Sequence, residues 1–144
     1  MSLISRLIGW AASLAPADTY DVAIERHIPV PMPDGVVLLA DHYYPRRGKP
    51  PTILVRSPYG RAGTWGMFFA RPFAERGFQV LIQSCRGTFG SGGKFDAFCN
   101  ERADGLATLA GFISRPGFRE SWPPSGRVTW ALFSGQSLPR QAQS

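Results

Sequence analysis

The sequence predicts an α/β fold: an antiparallel hairpin, then a parallel strand–helix–strand–helix–strand run. Three features point to it. A Pro33-Asp34-Gly35 turn separates two apolar runs. TILVRS (52–57) and FQVLIQ (78–83) are continuous apolar stretches of strand length, suited to the centre of a parallel sheet. Helix-like segments at 64–76 and 101–114 alternate with them.

Each element has a local reason. In residues 1–19, Leu3, Leu7, Trp10 and Leu14 recur at three- and four-residue spacing, which predicts an amphipathic helix packed by that face. One arginine, an apolar stretch and Ala15-Pro16-Ala17 loosely imitate a secretory signal. The charged region is thin, however, and the proline sits badly for cleavage. The stretch is too short to span a bilayer, so a cytoplasmic chain with no membrane partner is expected. YDVAIERHIPVP (20–31) alternates apolar and polar residues, and VVLLADHYYP (36–45) returns as its hairpin partner. TILVRS follows the loop at 45–51. TWGMFFARPFAER (64–76) reads as a helix, in which Pro72 either divides the segment or opens a fresh first turn, and Gly77 stops it. After FQVLIQ, Asn100 caps ERADGLATLAGFIS (101–114), whose first turn carries acidic residues where the dipole favours them. GRVTWALF (126–133), behind a WPPSG turn, is the third parallel strand.

Composition narrows the classes. At 44% hydrophobic and 18% charged, the chain is globular rather than disordered. The net charge of +6 would suit nucleic acid, but the positive residues are scattered. The densest group, Arg46-Arg47-Gly48-Lys49, reads as a solvated turn, so no nucleic-acid partner is expected. Cys85 and Cys99 have no CxxC spacing and no nearby histidine pair, so no metal is expected. Two cysteines leave one disulfide open without indicating a secreted scaffold.

The stretch QSCRGTFGSGGKFD (83–96) invites a phosphate-binding reading. A P-loop ending at Gly93-Lys94 would need glycine where Thr88 stands, and a hydroxyl where Phe95 stands. The spacing of Gly87, Gly90, Gly92 and Gly93 also fails the dinucleotide pattern. No nucleotide or other cofactor is expected.

VRSPYGR (55–61), GFQVLIQSCRGTFGSGGKFDAF (77–98), ERADGLATLAGFI (101–113) and WPPSGRV (122–128) occur in an order and spacing that carry a resemblance. Together with MPDGVVLLADHYYP (32–45), they resemble the N-terminal part of the X-prolyl dipeptidyl aminopeptidase and cocaine esterase family of serine hydrolases. The resemblance covers about residues 20–128. It implies an incomplete α/β-hydrolase domain over 20–134, preceded by the 1–19 helix or extension and followed by a polar tail, 135–144, off the family pattern. It also implies cleavage of a small peptide or ester through a serine acyl-enzyme. The tyrosine of the family's Pro-Tyr motif, here Tyr59, would help form the oxyanion hole. Arg86, Gly87, Ser91 and Gly93 match an Arg-Gly-x-x-x-Ser-x-Gly loop that shapes the floor near the site, and Lys94 reads as a solvated charge. This sequence departs from the family at Gln83-Ser84-Cys85, where an aspartate usually precedes the arginine.

Counting from Gly126-Arg127-Val128, Ser134 stands in register with the family's nucleophile. Its neighbours break the G-x-S-x-G elbow: Leu132 replaces a glycine, and Gly135-Gln136 replace Tyr and an apolar residue. Ser137 keeps a glycine two before it but is out of register, and Pro139 would disrupt the next helix. The fold's chain order is Ser, acid, His, yet residues 135–144 hold neither an acid nor a histidine. His27 and His42 lie upstream in the hairpin and suit structural or surface roles. The expectation is a truncated or frame-shifted hydrolase, inactive alone and associating with itself through an exposed sheet edge. The alternatives are a non-catalytic binding module on the same fold and, behind it, a basic nucleic-acid binder.

Overall fold

The computed structural model describes residues 6, 7, 9, 10, 13, 15–19, 21–48, 50–64, 66–97 and 99–115, and the backbone of 128–132. Strand β1 (Val22–Pro31) and strand β2 (Val37–Pro45) form the expected antiparallel hairpin. Strand β3 (Thr52–Ser57) follows, then a π-helical turn, Gly66–Ala70, that runs into the short helix α1 (Arg71–Ala74). Strand β4 (Gln79–Ser84), helix α2 (Glu101–Ile113) and strand β5 (Val128–Leu132) complete the order. The five strands form one sheet in the order β1-β2-β4-β3-β5. β3 pairs in parallel with both β4 and β5, as the alternation predicts. β2 pairs antiparallel with β4, so the hairpin extends the same sheet and makes it mixed.

Period-two alternation sorts the strand residues between two faces. One face packs Ile28, Val30, Leu38, Ala40, Leu54 and Leu81 under Leu109 and Phe112 of α2. The other packs Tyr43, Ile53, Val55, Val80 and Ile82 against Ala70 and Ala74. A bulge between Glu25 and Ile28 resets β1. His27 sits in it with φ 56, and the extra residue returns Ile28 and Val30 to the core side.

Three local expectations need correction. Asn100 occupies the N-cap of α2, but its side chain makes no capping hydrogen bond. The segment at 64–76 is not one α-helix: Pro72 falls at the start of α1, where its missing N–H costs nothing, and a π turn precedes it. Leu7 and Trp10, expected to pack, are exposed, although both are helical. The rest of that apolar face, Leu3 and Leu14, lies outside the described residues, as do Ser134, Ser137 and the WPPSG turn. The extension is instead anchored by its backbone, with the Asp18 and Thr19 amides donating to the Glu75 carbonyl at the end of α1.

His42 has a structural role. It is buried on β2, stacked on Tyr44, edge-on to Phe112, and 3.2 Å from Gln79 Oε1. Burial pulls its imidazole from 6.5 down to about 4, against the opposing pull of Gln79. Between those values the unfolded chain binds a proton that the folded chain refuses, so stability falls as pH drops from 6.5 towards 4. The unfolding free energy from urea titrations should fall by about 3 kcal/mol across this window, beyond any decline in a His42→Gln variant. Parallel pH profiles for the two proteins would contradict this assignment.

Candidate active site

The parallel register brings the carboxyl ends of β3, β4 and β5 to one line, Ser57 opposite Ser84 and Arg56 opposite Leu132. Ligands of open α/β sheets bind beyond such ends. Tyr59 follows β3 by two residues, its N–H donating to Ser57 Oγ at 3.1 Å, and its side chain is 61% exposed. The chain then turns at Gly60, with φ +101. A Cβ there would stand 3.1–3.3 Å from three atoms of the Phe89 ring, so glycine admits both the backbone conformation and the close aromatic neighbour.

Arg61, next in the chain, is buried and ties the Tyr59 turn to four other segments. Its Nε donates to Asp41 Oδ1 on β2 at 3.1 Å. Its Nη1 donates to Ser84 Oγ at 3.0 Å and to the Phe89 carbonyl at 2.7 Å. Its Nη2 donates to His27 Nδ1 at 2.8 Å, which gives that exposed histidine a positioned partner. Asp41, fully buried, also accepts the His27 amide at 2.9 Å, and Arg26 approaches its other oxygen at 3.6 Å.

The Arg-Gly loop is bound to the hairpin by its own backbone and by Ser91. The Gly87 amide donates to the Gly92 carbonyl and the Gly92 amide to the Val37 carbonyl. Ser91 Oγ accepts the Leu39 amide and donates to the Ser84 carbonyl, both at 3.0 Å. Gly87 has φ +67, and a Cβ on it would meet the Phe95 amide nitrogen at 2.6 Å. Its glycine therefore serves a close backbone approach within the loop, and Lys94 is exposed.

Arg86 grips Asp104 through two hydrogen bonds, at 2.7 and 2.6 Å, and reaches Asp34 of the hairpin turn at 2.6 Å. These bonds raise its already high pKa, and Arg86 holds the Asp34 carboxyl below its usual range. Asp104 also receives Arg56 Nη2 at 3.3 Å, while Arg56 Nε reaches Glu101 at 2.6 Å. Gln83 accepts from both Arg56 and Thr108. The acidic first turn of α2 thus neutralises two arginines rather than serving the helix dipole alone. Cys85 lies beside this cluster, and burial together with Glu101 pushes its thiol up to about 12, which makes it a poor nucleophile. Cys85 and Cys99 are both free thiols, and among the described residues no histidine, cysteine and carboxylate group is arranged to hold a metal.

Of the two site residues read from the sequence, Tyr59 stands at the carboxyl end of β3. Ser134 lies outside the described residues, two positions in sequence after Leu132, the last residue of β5. Local pattern did not reveal Arg61, Asp41, Phe89 or the Arg56–Asp104 pair. The available signal was a charge inside an apolar strand, Asp41 in VVLLADHYYP and Arg56 in TILVRS, because each demands a buried partner.

The sequence model of the X-Pro dipeptidyl-peptidase (S15 family) matches residues 34–115, more than half of the chain and the whole span from the hairpin turn to the end of α2. The chain belongs to this family. A curated relative, cocaine esterase of Rhodococcus sp. (strain MB1 Bresler), is 33% identical over 98 residues, 65% of this chain and 17% of its own length. Among solved structures, a CocE/NonD family hydrolase from Staphylococcus aureus matches with TM-score 0.62 at 19% identity, over 76% of this chain and 22% of that one. An alpha-amino acid ester hydrolase matches with TM-score 0.58 at 20% identity, over 81% and 22%. The chain therefore spans about a fifth of the length of these relatives. At such identities the structural matches establish the fold, an α/β-hydrolase sheet represented in part. The family is one of hydrolases, and the matched residues include the Tyr59 turn and the 86–93 loop.

Proposed function

We propose that this chain is the N-terminal part of a serine hydrolase that cleaves peptide or ester bonds of small substrates through an acyl-enzyme. The family match over residues 34–115, running through Tyr59 and the Arg-Gly loop, carries this reading. In it, Ser134 attacks the carbonyl and the Tyr59 hydroxyl donates to the oxyanion. Tyr59 suits that task, since its backbone amide is held by Ser57 Oγ and the following Arg61 is anchored to Asp41, which keeps the turn at the carboxyl end of β3. No acid or histidine follows Ser134 within these 144 residues, so the acid and base of this mechanism are not assigned to residues of this stretch. No cofactor or metal enters the mechanism.

A fluorophosphonate probe tests the reading. Weak labelling at Ser134, lost in Ser134→Ala and at least about tenfold slower in Tyr59→Phe, is expected from a nucleophile beside an oxyanion donor. Absence of labelling at Ser134, both in this chain and in a version extended by the downstream coding sequence, would remove it. The non-catalytic binding reading would then stand, because it needs no nucleophile. We propose no nucleic-acid partner: Arg46, Arg56, Arg61, Arg71, Arg86 and Arg115 each pair with a carboxylate, which disperses the positive charge. A cytoplasmic setting without a membrane partner is also proposed; among the described residues no helix is long and apolar enough to cross a membrane. β5 pairs only with β3 among the described strands, and self-association through that edge completes the proposal.

A further inference from the structure

We propose that His27, Arg61 and Asp41 form a proton-operated latch between the β1 bulge and the Tyr59 turn, closed while the His27 imidazole is neutral and opened when it takes up a proton. The latch does not depend on the hydrolase reading. His27 at φ 56 and Phe89 at φ 45 have left-handed backbones, which outside glycine persist only where the surroundings impose them. One buried side chain holds both: Arg61 donates from Nη2 to His27 Nδ1 at 2.8 Å and from Nη1 to the Phe89 carbonyl at 2.7 Å. A guanidinium only donates, so Nδ1 accepts and the imidazole hydrogen sits on Nε2. His27 is exposed, so protons reach it. A proton on Nδ1 turns the acceptor into a donor and sets two cations face to face, which opens the contact. Asp41 supplies the second position. Its Oδ1 already accepts from Arg61 Nε and the His27 amide, but its Oδ2 is buried without a hydrogen bond, with Arg26 at 3.6 Å. The released imidazolium can turn to that oxygen, which gives the latch two arrangements. The neighbouring charges are committed elsewhere. Glu25 holds the Tyr44 hydroxyl and Arg115, Arg71 of α1 holds Glu75, Arg86 of the loop holds Asp34 and Asp104, and Arg26 lies over the Tyr43 ring. Asparagine would accept from Arg61 and tolerate the left-handed backbone as well; what histidine adds is the response to pH.

The test is an NMR titration of the 144-residue chain, with its backbone and its histidine and arginine side chains nitrogen-labelled, from about pH 7.5 to about pH 5.5, where imidazoles ordinarily titrate. At the upper end the His27 ring should carry its hydrogen on Nε2. As the ring takes up a proton, the Arg61 Nη and Tyr59 amide signals should move with the same midpoint. Exchange of the Arg61 Nη2 hydrogens should accelerate at least about fivefold beyond the intrinsic effect of pH, the scale of one hydrogen bond. In His27→Asn the acceptor no longer titrates, so the Arg61 and Tyr59 signals should stay still and the corrected exchange within about twofold. His42 is present in both chains and cancels from the comparison. Matched midpoints in the parent read the coupling without any substitution. A ring carrying its hydrogen on Nδ1 at the upper end, protonation that leaves Arg61 unmoved, or the same response in His27→Asn would each overturn the latch.

Discussion

Asp104→Ala is expected to lower the unfolding free energy of the chain by about 3–5 kcal/mol, the cost of removing one partner from a buried ion pair. Asp104 is 2% exposed and accepts from Arg86 at both oxygens and from Arg56 at one. Arg56, 1% exposed, would keep Glu101 and Gln83 but lose the carboxylate at its Nη2. Arg86 would keep only the exposed Asp34. These contacts join β3, β4, the hairpin turn and the first turn of α2, so their loss acts on both the α2 face and the loop. Asp104→Asn should cost less, because the amide oxygen still accepts, and the Arg56→Met/Asp104→Ala double variant less than the sum of its singles. Urea denaturation with an unchanged m-value would measure it. A loss below about 1 kcal/mol in Asp104→Ala would show that the cluster behaves like an exposed pair.

The strands were legible where one local rule governed them. TILVRS is bounded by Pro50-Pro51 and Pro58, and the observed β3 has the expected ends. FQVLIQ shifted by one residue, because Phe78 packs beside β4, edge-on to Phe73, rather than pairing within it. The segment at 64–76 was less legible: its apolar residues fit a helical period, but period does not separate a π turn from an α turn. The charged site could not be read locally at all. Arg61 finds Asp41, Ser84, Phe89 and His27, and Arg56 finds Asp104, at sequence separations of 20 to 48. Such partners become visible only once the sheet order is known. Tyr59 was singled out only by resemblance to a family Pro-Tyr motif, because nothing in its local pattern separates it from any exposed tyrosine after a strand.

Arg61→Met should produce the second large effect, a loss of about 3 kcal/mol, again the cost of stranding a buried charge. Asp41 has no exposed surface, and without Arg61 it would keep the His27 amide and a distant Arg26 whose side chain is 47% exposed. That residual cation places the expected loss at the lower end of the buried-pair range. Methionine roughly preserves the volume, so the loss reports charge and hydrogen bonding more than a cavity. Arg61→Lys should recover less than half, because one ammonium cannot reach Asp41, Ser84, Phe89 and His27 with the geometry of a planar guanidinium. Local behaviour separates this residue from a generic core arginine. With its carbonyl released, the Phe89 backbone is free to leave φ 45, and the ring to leave Gly60. Hydrogen exchange at the Gly60 and Arg61 amides should then accelerate in Arg61→Met more than global destabilisation accounts for, while amides of α2 should follow the global change. Uniform acceleration across both regions would mean that Arg61 stabilises the sheet without specifically holding the Tyr59 turn. Acceleration confined to the turn would mean that the buried guanidinium holds the Tyr59 turn and the Phe89 backbone in fixed relation.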